Sequence, residues 1–171
     1  MKRTILIFGI AAGLLVTVPM CLMIANSEPG SAAQSLFTGY LIMLLALSLI
    51  FFGVKRLRDR DLGGVIRFPP ALFAGLGITV VAGVIYVIGW EISLAATDFA
   101  YIDSYTAAAV EAARAKGPAA VAEVVAQMDT YRNNRPVRLA FTFIEIFPVG
   151  LLVSLISAAL LRNSRFLPAR G

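Results

Sequence analysis

The chain has no histidine and one cysteine, Cys21. Without histidine it lacks the commonest general base, the commonest transition-metal ligand and the usual partner of a serine or cysteine nucleophile. With one cysteine it can close no internal disulfide. Cys21 falls inside an apolar run, where a free thiol packs as a small hydrophobe. Charge is scarce too: 15% of the 171 residues are Asp, Glu, Lys or Arg, against roughly 25% in a soluble domain. There is no Walker-type glycine loop and no Gly-x-Ser-x-Gly turn, which removes the standard phosphate cradle and the standard hydrolase nucleophile. No metal site, no cofactor and no catalytic residue is expected.

What the chain does have is apolar length. Hydrophobic residues make up 59% of it, concentrated in runs at 4–25, 36–54, 71–96 and 139–161. A helix needs about 20 residues to cross a bilayer's hydrocarbon core. Each run is near that length or longer. The expected fold is all-α, a polytopic membrane protein with four transmembrane helices in a single domain over 1–171. The first run follows Met1-Lys2-Arg3, like a signal peptide, but a signal's apolar core is only about 7–15 residues. It reads as a retained first helix.

The positive charges set the expected orientation. Four spans put both ends of the chain on one side. That side holds Lys2, Arg3, Lys55, Arg56, Arg58, Arg60, Arg67, Arg162, Arg165 and Arg170, while the other holds Arg114, Lys116, Arg132, Arg135 and Arg138. The richer side belongs in the cytoplasm, so both termini are expected to be cytoplasmic, in an inner membrane. The first outer loop, 26–35, has no Lys or Arg. The dense cluster around Lys55–Arg60 reads as a topogenic stop at a helix end, tempered by Asp59 and Asp61, rather than a grip on nucleic acid or anionic lipid.

The outer segment 98–136 is the one long polar stretch, and Gly117-Pro118 divides it. Before the break Tyr101, Tyr105, Ala108 and Ala112 recur at helical spacing. After it Val121, Val124, Val125 and Met128 form an i, i+3, i+4, i+7 stripe. Two short amphipathic helices are expected. They rest on the protein's own outer face, lie on the membrane, or offer a platform to a partner.

Small residues recur at spacing four: Gly9-xxx-Gly13-xxx-Thr17 in the first helix, Ala71-xxx-Gly75-xxx-Thr79-xxx-Gly83 in the third and Gly150-xxx-Ser154-xxx-Ala158 in the fourth. Such ladders let backbones approach closely where lipid removes any hydrophobic drive between helices. They predict a compact bundle, with contacts either within one chain or between copies.

Only Glu91 and Glu145 put charge inside the runs. Glu91 follows Trp90 near the outer end of its helix, where an interfacial, solvated role is expected. Glu145 is deeper, roughly 9 Å below the outer boundary at about 1.5 Å per residue. Arg135, Arg138, Thr142 and Glu145 fall at i, i+3, i+7 and i+10, a polar stripe leading inward if the helix extends back to Arg135. Pro148 follows one turn on and frees the carbonyl of Ile144. Glu145 then handles a proton or cation, or ties its helix to a neighbour, or pairs with Arg138. Gly150, Ser154 and Ala158 point elsewhere on the same helix, which hints at a second copy.

Three stretches carry a resemblance. Phe51-Phe52-Gly53-Val54-Lys55-Arg56, Arg58-Asp59 and Gly63-Gly64-x-Ile66-x-Phe68 form the first. Tyr86-Val87-Ile88-x-Trp90-Glu91 is the second. Arg138-x-x-x-Thr142-Phe143-x-Glu145-Ile146-Phe147-Pro148-Val149-Gly150 is the third. Together they resemble a bacterial membrane family known only as domain of unknown function 4199, over nearly the whole chain. The resemblance implies four spans and a helical outer segment, and no activity. A non-enzymatic structural or accessory membrane component is the leading expectation. The alternative is a small oligomeric transporter or channel that uses Glu145. The bilayer is the sure partner, with a second copy or another membrane protein beside it and no nucleic acid.

Overall fold

The computed structural model describes residues 1–26 and 32–168, without the side chains of 26 and 32–36. The tail with Arg170 and most of the loop 26–35 therefore lie outside the described residues. Helices run over Lys2–Asn26 (α1), Ala32–Leu47 (α2), Leu49–Arg56 (α3), Phe68–Ala96 (α4), Ala100–Arg114 (α5), Pro118–Asn133 (α6) and Arg135–Leu161 (α7). Four stretches are long and apolar enough to cross a membrane: Lys2–Ala25, Phe37–Asp61, Phe68–Ala96 and Arg135–Leu161. The chain is an all-α polytopic membrane protein.

The spans outrun the expected apolar runs at their charged ends. The second continues from α2 through α3 into a π-helical turn, Leu57–Asp61. At Ser48 the hydroxyl donates to the carbonyl of Leu45 at 2.6 Å, a back-bond of the kind that bends a helix without ending it. The π-turn stops at Gly63 and Gly64, both at positive φ, and the Gly64 amide caps the Arg58 carbonyl at 2.8 Å. Glycine suits that left-handed exit because a Cβ would be strained there. α4 then starts early, with Pro69 and Pro70 in its first turn, where proline's missing N–H costs nothing.

α4 is central: α1 packs on one side of it and α7 on another. The glycine ladders make those contacts, and they lie within one chain. A Cβ on Gly9 would stand 2.6 Å from Cβ of Val81, and one on Gly13 2.8 Å from Cβ of Ile85. Across the other seam, Gly75 faces Ser154, Gly83 faces Phe143 and Gly150 faces Thr79. The Thr79 and Ser154 hydroxyls meet at 3.3 Å, and each also donates back to its own helix. Hydroxyls satisfied this way tolerate burial in an apolar seam. Cys21 packs in the α1–α4 seam, where it accepts from the Ser93 hydroxyl at 3.1 Å.

Two membrane faces result. One, the terminal face, brings Met1 to Asp61 at 3.5 Å and residues 166–167 to Arg58. The other, the arch face, carries α5 and α6. The break falls at Gly117-Pro118 as expected, but the buried residues of α5 are Ile102 and Ala113 rather than the tyrosine–alanine stripe. Ile102 and Ala113 are eleven residues apart, about three turns, and so share one face, and α5 follows a left-handed Phe99. On α6, Val121, Val124 and Met128 are half-buried, Val125 is exposed and no residue is buried. α6 lies mainly along α5 and the start of α7.

Candidate functional site

Asn134 caps α7 by accepting from the Val137 amide at 3.2 Å, and α7 begins at Arg135. The expected stripe of Arg135, Arg138, Thr142 and Glu145 therefore lies on one helix. Its members do not share an environment. Arg135 is 72% exposed, Arg138 and Thr142 are buried, and Glu145 is exposed again.

Arg138 does not pair with Glu145. Its guanidinium grips Glu91 on α4 with both arms, Nε to Oε1 at 2.6 Å and Nη2 to Oε2 at 2.9 Å. Glu145 is two turns deeper, about 10 Å along the axis, whereas a long basic side chain in a membrane reaches toward the interface. The same contact corrects the reading of Glu91. Its side chain is 15% exposed and also faces Arg135 at 3.3 Å, so it is a paired carboxylate, not a solvated one.

The arch is tied to this pair. Nη1 of Arg138 donates to the carbonyls of Tyr131 at 3.3 Å and Arg132 at 2.7 Å, at the end of α6. Phe99, at φ 62°, takes Arg132 and Arg138 over its ring at 5.3 and 5.2 Å. Left-handed backbone at such a residue costs about 1–3 kcal/mol, and two guanidinium–ring contacts of about 0.5–1 kcal/mol each offset much of it. Arg132 also pairs with Asp103 of α5. The Trp90 indole donates to the Tyr131 hydroxyl at 2.9 Å, and that hydroxyl meets Thr142 at 3.4 Å. Burial pushes the Tyr131 phenol above its ordinary value, against the opposing pull of its bonds to Thr142 and Trp90, so it stays protonated and can both donate and accept.

Glu145 lies beside this knot rather than in it. Among the described residues it accepts one hydrogen bond, from the Tyr86 hydroxyl at 3.4 Å. Among the described residues no cation stands within ion-pair distance of it. The carboxylate lines a cleft of about 110 Å³ with Met20, Met43, Tyr40, Tyr86, Trp90 and Tyr101, room for several waters. Those residues come from α1, α2, α4 and α5, while Phe141 and Ile144 on the same helix as Glu145 stay exposed. Pro148 lies within the continuous α7, one turn beyond.

Four contributors escaped the sequence reading. Tyr86 and Trp90 are one turn apart on the face that also approaches Glu145, and their i, i+4 aromatic spacing beside Glu91 was the available signal. Phe99 gave none. Arg58, read within a generic basic stop, is fully buried: it binds Asp59 at 2.6 Å and donates to the carbonyls of Phe166 at 2.8 Å and Leu167.

Among the described residues no three acidic, cysteine or histidine side chains gather as a metal site. No curated protein and no solved structure matches the chain. Residues 6–163 match the family model described as Protein of unknown function (DUF4199), which spans the two glutamates, the arch and every seam of small residues, and the chain belongs to that family.

Proposed function

We propose that this is a non-enzymatic multi-pass protein of a bacterial inner membrane, with both termini cytoplasmic, that binds a proton or a cation at Glu145 in a cleft of the outer leaflet. The carrying observation is the division of labour between the carboxylates. Glu91 has taken the buried arginine, which among the described residues leaves Glu145 with a phenol for company. A carboxylate at membrane depth is costly while charged and unpaired. It therefore holds a proton, or exchanges that proton for another cation, and that exchange is the elementary step of a carrier. The bidentate Glu91–Arg138 pair supplies rigidity around the cleft, because it joins α4, α7 and the end of α6.

The test is infrared difference spectroscopy on the purified protein as pH is stepped, with Glu145→Gln as the reference. A protonated-carboxyl band that titrates and vanishes in Glu145→Gln is expected. No titrating band attributable to Glu145, together with unchanged proton and cation flux in proteoliposomes for Glu145→Gln, would sink the reading. A reporter fused after Gly171 should read cytoplasmic.

A second reading, an accessory component of a larger assembly, draws on α6. This helix has no buried residue and presents Val125 to the surroundings, as a platform for a partner would. Co-purification from native membranes that is lost on Val125→Glu supports this role. Unchanged co-purification counts against it.

A further inference from the structure

We propose that the cleft beside Glu145 takes an organic cation with an apolar skin, a quaternary ammonium or lipophilic amine, rather than a metal ion. The proposal rests on Glu145 being the charged group of the site, as above, and adds the class of ligand.

The walls decide the class. A hard metal cation requires about six or more oxygen ligands. Among the described residues the cleft offers the Glu145 carboxylate and a few tyrosine hydroxyls, and the Tyr86 hydroxyl is already turned toward that carboxylate. What the cleft has in quantity is aromatic surface: Tyr40, Tyr86, Trp90 and Tyr101. Trp90 and Tyr101 meet edge to face with centroids 5.8 Å apart, which holds the two rings at a fixed angle. Aromatic faces around one carboxylate are how proteins hold a weakly hydrated cation whose charge is buried in methyl or methylene groups. Met20 and Met43 complete the lining with flexible, polarizable side chains that adapt to an apolar body. A bare alkali ion would lose its water here and gain little, while an alkylammonium ion has little water to lose.

The chain carries its own reporter, since Trp90 is its one tryptophan and lines the cleft. The full-length protein in a nonionic detergent is titrated with benzyltrimethylammonium and, separately, with its uncharged carbon isostere neopentylbenzene. Trp90 emission is read in the unaltered chain, Glu145→Gln and Tyr40→Leu, each first checked for an unchanged melting temperature. We expect a saturable change with the ammonium ion, weakened about tenfold or more in Glu145→Gln and less in Tyr40→Leu, with no saturable change from the isostere. Sodium and potassium at the same concentrations should produce none. Short-chain phosphatidylcholine added as competitor separates the sources: displacement assigns the ammonium group to a lipid headgroup, persistence assigns it to a free amine. Equal saturation by ammonium ion and isostere would reduce the cleft to an apolar cavity and overturn the proposal. Absence of ammonium binding while the Glu145 infrared band still titrates overturns the ligand class alone and leaves proton binding standing. If neither occurs, both readings fall.

Discussion

Glu91 and Glu145 are the same side chain on neighbouring helices of one membrane protein, and they have opposite fates. Glu91 is gripped by Arg138 from α7, touched by Arg135, and enclosed under an arch whose end supplies further acceptors to the same guanidinium. Among the described residues Glu145 has one long hydrogen bond, and it lines a cleft. A charge in a membrane becomes structure when it finds its counter-charge and remains available for chemistry when it does not. Sequence position alone ranks the two the other way, since the residue nearer the interface looks the more solvated.

The sharpest way to break the comparison is to unpair Glu91. Arg138→Gln leaves Glu91 with the exposed Arg135 as its cation and should cost about 3 kcal/mol, the lower end for one partner of a buried pair. Thermal unfolding in detergent measures it, and Glu91→Gln added to Arg138→Gln should recover much of the loss. Additive losses in that double variant would mean that the pair contributes nothing as a pair. Next in size is Gly89→Ala, between Tyr86 and Glu91 on α4. Its Cβ would run into the Thr17 Cγ2, an overpacking of about 1–3 kcal/mol. Thr17→Ser, which removes that methyl, should restore most of the melting temperature. Tyr86→Phe removes the hydrogen bond from Tyr86 to Glu145 and should cost about 0.5 kcal/mol, as befits a bond of that length. Glu145→Gln should have the smallest effect on stability, within about 0.5 kcal/mol, while abolishing the infrared titration. If it destabilised as strongly as Arg138→Gln, the two glutamates would be equally structural and the contrast would vanish.

The parts legible in the sequence are those governed by one-dimensional pattern. Apolar length marked the spans, Gly117-Pro118 marked the turn between α5 and α6, and small residues at spacing four marked the seams. Three features depend on which residue faces which across helices. Arg138 had two glutamates within conceivable reach, and the choice follows from the relative register of α4 and α7, whose partners are 47 positions apart. Ala108 and Ala112 belong to the spaced stripe of α5, yet the buried residues of that helix are Ile102 and Ala113. Arg58 was indistinguishable from Arg56 and Arg60 as a member of a charge cluster, because its acceptors are main-chain carbonyls, which every residue possesses and no sequence displays.

Arg58 also imposes a timetable. Its carbonyl partners lie 108 and 109 positions later in the chain, so the second span enters the bilayer with a guanidinium whose acceptors have not yet been synthesised. Until Phe166 and Leu167 leave the ribosome, Asp59, water and lipid phosphates must carry that charge. The contact closes only after the last span is in place, and the second and fourth spans are locked at one face as a final act of assembly. A chain released before residue 166 would insert all four helices and still leave the terminal face unsealed.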